Sequence, residues 1–244
     1  MLSESKKLIA SEAEDPNAGR FVVRLKFVKV GNLQYISHLD LQRTFNRVIK
    51  RSGIPVWYTK GFNPHMKLVF SSPLSIGSES VCEYLDLSMQ GDISCEEIMD
   101  RLNRELTDEL RITAAYIADR KFADIAWADY TIEMLTEGAG DELALGVEAL
   151  FAKAPLNMIK STKSGDKEID IIPLIRKLSA YYDNEKGTVV IKTRLSAVST
   201  NFLNPEMLIT AMKQKLGVLC GDPSIECYRI LREDLLDEKE KHFE

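Results

Sequence analysis

The spacing of apolar and polar residues predicts how the first part of the chain folds. Residues 20–30 alternate basic and apolar side chains, which predicts a strand with Arg24 and Lys26 on a face open to water. A helix is expected next, because apolar residues recur at helical spacing between the N-cap Ser37 and the stop at Gly53. The opening of the chain therefore predicts a strand followed by an amphipathic helix.

Further elements extend this pattern to about residue 118. They are predicted strands at 56–58, 67–71, 83–87 and 111–118 and a helix at 94–110, which Ser94 begins. The resulting order, strand–helix–strand–strand–helix–strand, is that of a ferredoxin-like or split βαβ unit.

The second half of the chain repeats this order. Its predicted elements are strands at 130–135, 157–163, 167–172, 188–195 and 225–232, and helices at 141–153, 174–182, 204–216 and 232–244. We therefore expect an α+β protein built of two tandem ferredoxin-like halves with antiparallel sheets. The expected division is a flexible leader at 1–19, a basic half at 20–125, an acidic half at 126–232 and a charged tail at 233–244.

Composition adds that the chain is a globular protein of ordinary size. It has 244 residues, of which 45% are hydrophobic and 28% charged. Neither a secretory signal nor an apolar run of membrane-spanning length is apparent, so we expect a cytoplasmic protein that does not bind a membrane. The four cysteines, at 82, 95, 220 and 227, lack Cys-x-x-Cys spacing, which favours reduced thiols and no metal or cofactor bound by this chain.

Charge is distributed unevenly along the chain. Residues 20–67 contain ten basic side chains and one acid, a net charge of +9, whereas the whole chain has a net charge of −5. A positive block in an acidic protein predicts an anion-binding surface. The candidate anion or nucleic-acid ligands are Arg24, Lys26, Arg43, Arg47, Lys50, Arg51, Lys60, Asn63, His65 and Lys67.

Three residues of this block are candidates for catalysis. His38 in the first turn of the helix and His65 in a loop can exchange protons near neutral pH, and Lys60 can stabilise negative charge. A surface role is favoured over a ligand role for each histidine. The aromatic residues Trp57, Tyr58 and Phe62 can stack on bases, although core packing is the favoured interpretation.

One stretch of this block resembles a known family. The matching features are Ser37-His38-Leu39-Asp40, Arg43, Arg47, Gly61 to His65, Ser71, Pro73-Leu74, Gly77, Glu79, Glu83 to Asp86 and Lys167 to Pro173. Together they resemble the radical-SAM-linked protein family, whose function is uncharacterised and whose domain is fused to, or encoded beside, a radical SAM protein. The resemblance implies a radical SAM protein as partner, and it implies no activity or catalytic residues.

Three functions follow as hypotheses. The favoured one is a non-catalytic accessory or substrate-binding subunit that acts with a separate radical SAM enzyme and binds an anionic substrate such as RNA through its basic face. A metal-independent endoribonuclease that uses His38 or His65 is the alternative from a different class. The third hypothesis is a protein–protein adaptor whose basic face docks on an acidic surface.

Overall fold

The computed structural model describes residues 19–162 and 165–244, with side chains outside 161–164, and has a mixed α+β fold. Apart from Gly19, the expected leader at 1–19 lies outside the described residues. The described strands are β1 (Arg20–Lys29), β2 (Leu68–Phe70), β3 (Ser78–Gln90), β4 (Leu110–Ile117), β5 (Ile125–Leu135), β6 (Asn157–Thr162), β7 (Gly165–Asp170), β8 (Ile175–Asp183), β9 (Thr188–Ser196) and β10 (Cys227–Asp237). The described α-helices are α1 (His38–Ser52), α2 (Cys95–Asn103), α3 (Asp141–Phe151) and α4 (Glu206–Leu216).

One large, mostly antiparallel sheet runs through the described chain. Its order is β4-β1-β3-β10-β5-β9-β8, and β2 also pairs with β3. Strand β3 is long enough to hold both β2, opposite Leu85–Leu87, and β10, opposite Ser78–Ser80, on the edge that β1 leaves free. The β3–β10 pairing is parallel, whereas β6 and β7 form a separate antiparallel hairpin.

Helix α1 begins and ends where the sequence predicts. The Oγ of Ser37 accepts a hydrogen bond from the Asp40 N–H at 3.1 Å, and Gly53 ends the helix at φ +65°, a conformation that favours glycine. Its buried face is formed by Leu41, Phe45, Val48 and Ile49. The opposite, charged face of α1 is therefore left to solvent.

Two apolar clusters form the core. The first packs α1 and α2 on Val23, Leu25 and Phe27 of β1. The second packs α3 and α4 on β5, β9 and β10, and it also includes Cys82 and Tyr84 of β3. The side chains of β3 therefore contribute to both clusters.

The α-helix expected at 174–182 is wrong, because residues 175–182 belong to strand β8 and only Leu174 ends a short 3-10 helix. Leu178, Ala180 and Tyr182 alternate with more exposed residues and pack against the second apolar cluster. Antiparallel pairing with β9 accounts for the extended backbone. The less exposed residues therefore recur at every second position, which is the spacing of a strand and not of a helix.

The solvated helix expected at 232–244 is also wrong. Strand β10 continues to Asp237 beside β5, and Leu235 and Phe243 are fully buried. The acidic and basic residues between these apolar side chains gave the segment the appearance of a solvated tail. Its few apolar residues instead determine its position.

Candidate functional site

The exposed face of α1 carries four cations, two of which are paired. The Arg43 guanidinium lies 3.1 Å from Asp40, and that of Arg51 lies 2.7 Å from Glu105. Hydrogen bonding by Ser37, together with Arg43, lowers the pKa of the Asp40 carboxyl. All the paired side chains remain substantially exposed, so each bridge contributes little stability.

Two further cations on α1, Arg47 and Lys50, are exposed and have no acidic partner among the described residues. They lie on the same side of the helix because residues three or four apart on a helix are neighbours. Unpaired guanidinium and ammonium groups on one helix face are available to bind phosphate or carboxylate. This part of the predicted anion-binding set therefore forms an accessible stripe.

A short hairpin follows α1 and carries the rest of the exposed set. Tyr58 pairs with Met66, and the Thr59 N–H donates to the His65 carbonyl at 2.9 Å. The Thr59 hydroxyl accepts from the His65 N–H at 3.0 Å and also lies 3.0 Å from His65 Nδ1. These contacts hold the loop in one shape, and Gly61 permits its turn with φ +131°.

The hairpin presents Phe62 at its tip, fully exposed to solvent. The core packing favoured for Phe62 is therefore wrong. Lys60, Asn63 and Lys67 are also exposed, in and just after the hairpin, and have no ion pair among the described residues. Exposed aromatic rings and cations are the side chains by which proteins contact single-stranded nucleic acid.

The hairpin and α1 are connected through aromatic contacts. Phe70, which follows the hairpin, lies 5.8 Å from Phe45 of α1 and 6.4 Å from Phe27 of β1, measured between ring centroids.

We use the name cationic surface for the exposed cations of α1 and of the hairpin region. These cations are Arg43, Arg47, Lys50, Arg51, Lys60 and Lys67.

Arg24 does not belong to this surface, which corrects the expected wet face of β1. Its guanidinium is fully buried and forms a bidentate ion pair with Asp86, in which Nε and Nη2 donate to the two carboxylate oxygens at 2.7 and 2.9 Å. Phe122 and Phe243 lie 4.3 and 5.0 Å from it and exclude water. Because these aromatic residues are distant in sequence, the alternation within β1 gave no sign of them.

Lys26 lies beside Arg24 on the sheet face that points away from α1. Side chains alternate along a strand, and Leu25 and Phe27 face the helices. The Lys26 ammonium lies 5.8 Å from the centroid of the Tyr84 ring. Lys26 is therefore separated from the cationic surface by the sheet.

The two candidate histidines occupy different surroundings. His38 is exposed, and its ring packs edge-on against Phe70 at 5.0 Å. His65 is held within the hairpin by Thr59, and Lys60 follows Thr59 in the chain. The described contacts therefore bring Lys60 and His65 into one loop, and His38 contacts neither.

A cluster of buried charges lies on β3 and β10, and the sequence did not predict it. Arg232 is fully buried, and its Nε donates to Glu83 at 3.0 Å. The same guanidinium donates to the carbonyls of Ser72 and Pro73 at 3.1 and 3.3 Å. Burial opposes the charged form of Arg232, but the Glu83 carboxylate outweighs that effect and raises the pKa.

Lys29 and Glu79 extend this cluster. The Lys29 ammonium donates to the carbonyl of Ser78 at 3.3 Å, and burial lowers its pKa. Glu79 accepts hydrogen bonds from the Gly31 N–H and from Arg229. The sequence shows Glu79 and Glu83 in the segment that forms β3, but no local pattern identifies their partners, because Arg229 and Arg232 lie about 150 residues further along the chain.

Other kinds of site receive no support from the described residues. Across 19–162 and 165–244, no three His, Cys, Asp or Glu side chains are grouped as metal ligands. Burial raises the pKa of the Cys82 thiol to about 12, which keeps it protonated. In the same part of the chain, no helix has the length and apolar character that crossing a bilayer requires.

No curated protein matches the sequence. A protein of unknown function from Galdieria sulphuraria is similar in structure, with 11% identity over 87% of this chain and 98% of the other, and a TM-score of 0.26. DyPB from Rhodococcus jostii RHA1 shows 10% identity over 80% of this chain and 83% of the other, with a TM-score of 0.22. Similarities this weak carry no argument about fold or function.

A family model matches the sequence over most of its length. The match covers residues 22–205, which include the whole cationic surface, Glu79 and Glu83. On this match, the chain belongs to the bacterial family described as "Uncharacterized protein conserved in bacteria (DUF2344)".

Proposed function

We propose that this protein is a non-catalytic, substrate-binding subunit that binds single-stranded RNA in the cytoplasm and presents it to a separate radical SAM enzyme. The observation that carries the RNA proposal is the fully exposed Phe62 at the tip of a hairpin whose cations have no acidic partner among the described residues. Stacking on a ring is tolerant of base identity because every base has a flat face. The cations supply contacts to phosphate.

Salt dependence tests the electrostatic part of this proposal. Each phosphate neutralised on a single strand contributes about −0.7 to the slope of log affinity against log salt concentration. Arg47→Glu with Lys50→Glu should therefore weaken binding of a fluorescent single-stranded RNA and make this slope shallower by about 1.4. Anisotropy titrations at several salt concentrations measure both quantities.

A matched control separates a local effect from a change in net charge. Lys153→Glu with Lys215→Glu alters the same total charge at exposed positions of the second half of the chain. This variant should retain most of the affinity. RNA binding is overturned if the wild-type protein does not bind at low salt or if both double variants lose affinity equally.

The variant Phe62→Ala tests whether bases of the RNA stack on this ring. Replacing a stacked aromatic residue typically costs about 1–3 kcal/mol of binding free energy per base. Phe62→Ala should reduce RNA affinity accordingly without lowering the melting temperature, because the ring has no core contacts to lose. Unchanged RNA affinity in Phe62→Ala would show that the ring does not contact bases.

The non-catalytic role has its own test. We expect RNA incubated with the purified protein in EDTA to be recovered intact. Cleavage that His65→Ala or His38→Ala abolishes would instead support the endoribonuclease hypothesis.

The radical SAM partner is supported by the resemblance around residues 37–40 and 61–65. We expect the protein to co-elute in size-exclusion chromatography with the radical SAM enzyme encoded nearest to its gene. Independent elution of the two purified proteins, with and without RNA, would contradict the partnership.

We infer that each half of the chain is a ferredoxin-like unit. The strand orders within the two halves, β4-β1-β3-β2 and β10-β5-β9-β8, support this inference. Folds of this kind host many unrelated functions, so the proposal for RNA rests on the side chains and not on the architecture.

A further inference from the structure

A cavity of about 500 Å³ lies where the loop after β2 meets the start of β5 and the segment after β9. Its walls include Ser71, Ser72, Phe122, Val198, Ser199 and Phe202. This volume is within the range of roughly 300–1,000 Å³ that is usual for small-molecule sites. The cavity lies outside the cationic surface and plays no part in the contacts described for it.

The chemistry of the walls restricts what can bind. No charged side chain lines the cavity among the described residues. The hydroxyl oxygens of Ser71 and Ser72 are buried and have no hydrogen-bond partner in the described chain. Buried hydroxyls without partners are unfavourable. Rotation about χ1 brings a serine hydroxyl to a cavity that its own residue lines, so a ligand that bonds to the rotated hydroxyl gains affinity. Two phenyl rings in the walls can pack against a flat ring.

The walls are held in place before any ligand arrives. The Ser71 N–H donates to the Tyr84 carbonyl at 3.0 Å, and Arg232 holds the carbonyls of Ser72 and Pro73. Phe122 packs against Phe243, with 6.0 Å between ring centroids. A cavity with fixed walls loses little conformational entropy when it is filled.

We propose that this cavity binds a neutral, planar heteroaromatic ring, such as a nucleobase. Such a ring matches the uncharged walls, the phenyl rings and the unpaired hydroxyls. Ser72 also lines the small cleft at the start of α1 that contains Ser37 and His38, so the cavity is next to the N-terminal end of that helix. The ring can belong to a free nucleoside or to an unstacked base of bound RNA, and the second source rests on the proposed function.

Calorimetric titration with adenosine, guanosine, cytidine and uridine tests the cavity itself. At least one nucleoside should bind the wild-type protein. Ala123→Trp, at an exposed position in the cavity wall, should weaken that binding at least ten-fold by filling the space. Ala152→Trp, at an exposed position outside the cavity, should have no effect and serves as the matched control.

A gentler variant keeps the test valid if Ala123→Trp does not fold. Ser72→Ala removes only the hydroxyl and leaves the backbone carbonyl that Arg232 holds. It should weaken nucleoside binding at least three-fold. The inference is overturned if no nucleoside binds the wild-type protein and Ala123→Trp also leaves RNA binding unchanged, or if both cavity variants bind nucleosides as the wild type does.

Repeating the titrations with RNA distinguishes a free nucleoside from an unstacked base of bound RNA as the ligand. It also tests the cavity inference separately from the proposed function. RNA binding that Ala123→Trp weakens would place an unstacked base in the cavity. Nucleoside binding without RNA binding would support the cavity with a free nucleoside as ligand and overturn the proposed function. RNA binding without nucleoside binding, unchanged in Ala123→Trp, would overturn the cavity inference and leave the proposed function intact.

Discussion

Arg232 is a buried cation that links β10 to β3 and to the loop after β2. It is fully buried, it pairs with Glu83 of β3, and it holds the loop carbonyls at 72 and 73. A charge in such a position is tolerated only because it is paired and hydrogen-bonded. Loss of either partner therefore leaves an uncompensated charge in the interior.

Arg232→Met should lower the free energy of unfolding by about 3–5 kcal/mol, because it leaves Glu83 buried without its partner. Arg232→Met with Glu83→Leu should recover part of that loss, since it removes both charges. Urea unfolding of the two single variants and the double variant measures the coupling. Strictly additive losses would show that the ion pair is not an energetic unit.

The same residues show how far a candidate site can be predicted from sequence. The block of basic residues correctly indicated exposed cations on α1 and the hairpin, because their spacing is local. It failed for Arg24 and missed Lys29, since the groups that bury them, Phe243 and Ser78, are far away in the chain. Local patterns therefore identified which cations are exposed on a helix but not which are buried in a strand.

At the scale of elements, α1 and the hairpin after it are short structures defined by local hydrogen bonds. Ser37 begins the helix, and Thr59 and His65 close the hairpin. The sheet supports both elements, since α1 packs on β1 and the segment before the hairpin pairs with β3 through Val56 and Met89. The proposed RNA-binding surface therefore depends on the helix start as well as on the cations themselves.

Ser37→Ala should lower the free energy of unfolding by about 1 kcal/mol, because the Asp40 N–H loses its side-chain acceptor at the helix start. Ser37→Asp supplies another acceptor and should retain most of the stability. Thermal and urea unfolding measure both variants. Equal stability of Ser37→Ala and the wild type would show that the cap contributes nothing.

Helix starts were also the part of the fold that the sequence predicted best. Ser37 and Ser94 each accept a hydrogen bond from the N–H three residues later, as expected of N-caps. Strand β8 was not predicted, because its extended backbone depends on pairing with β9. Pairing partners lie outside any local window, and propensity alone cannot identify them.

At the scale of the whole molecule, the segment after β10 connects the end of the described chain to β3. Phe243 is fully buried, its ring lies 5.5 Å from that of Tyr84, and its carbonyl accepts from the Tyr84 hydroxyl at 2.5 Å. Phe243 also flanks Arg24 of β1. One aromatic side chain thus joins the last strand to the first.

Phe243→Ala should lower the free energy of unfolding by about 3–5 kcal/mol, as is usual when a buried phenylalanine is truncated. Phe62→Ala makes the same chemical change at a fully exposed position and should have almost no effect on stability. Parallel denaturation curves measure the difference. Similar curves for the two variants would show that the segment after β10 is not docked in solution.

The central place of β10 has a consequence for how the protein folds. β10 follows all the other described strands, yet it lies between β3 and β5, and its Arg232 contacts a partner 149 residues away. Contacts between such distant residues slow folding because long loops must close first. Until β10 inserts, the edges of β3 and β5 are open to pairing with other chains, so refolding should yield more native protein when the solution is dilute.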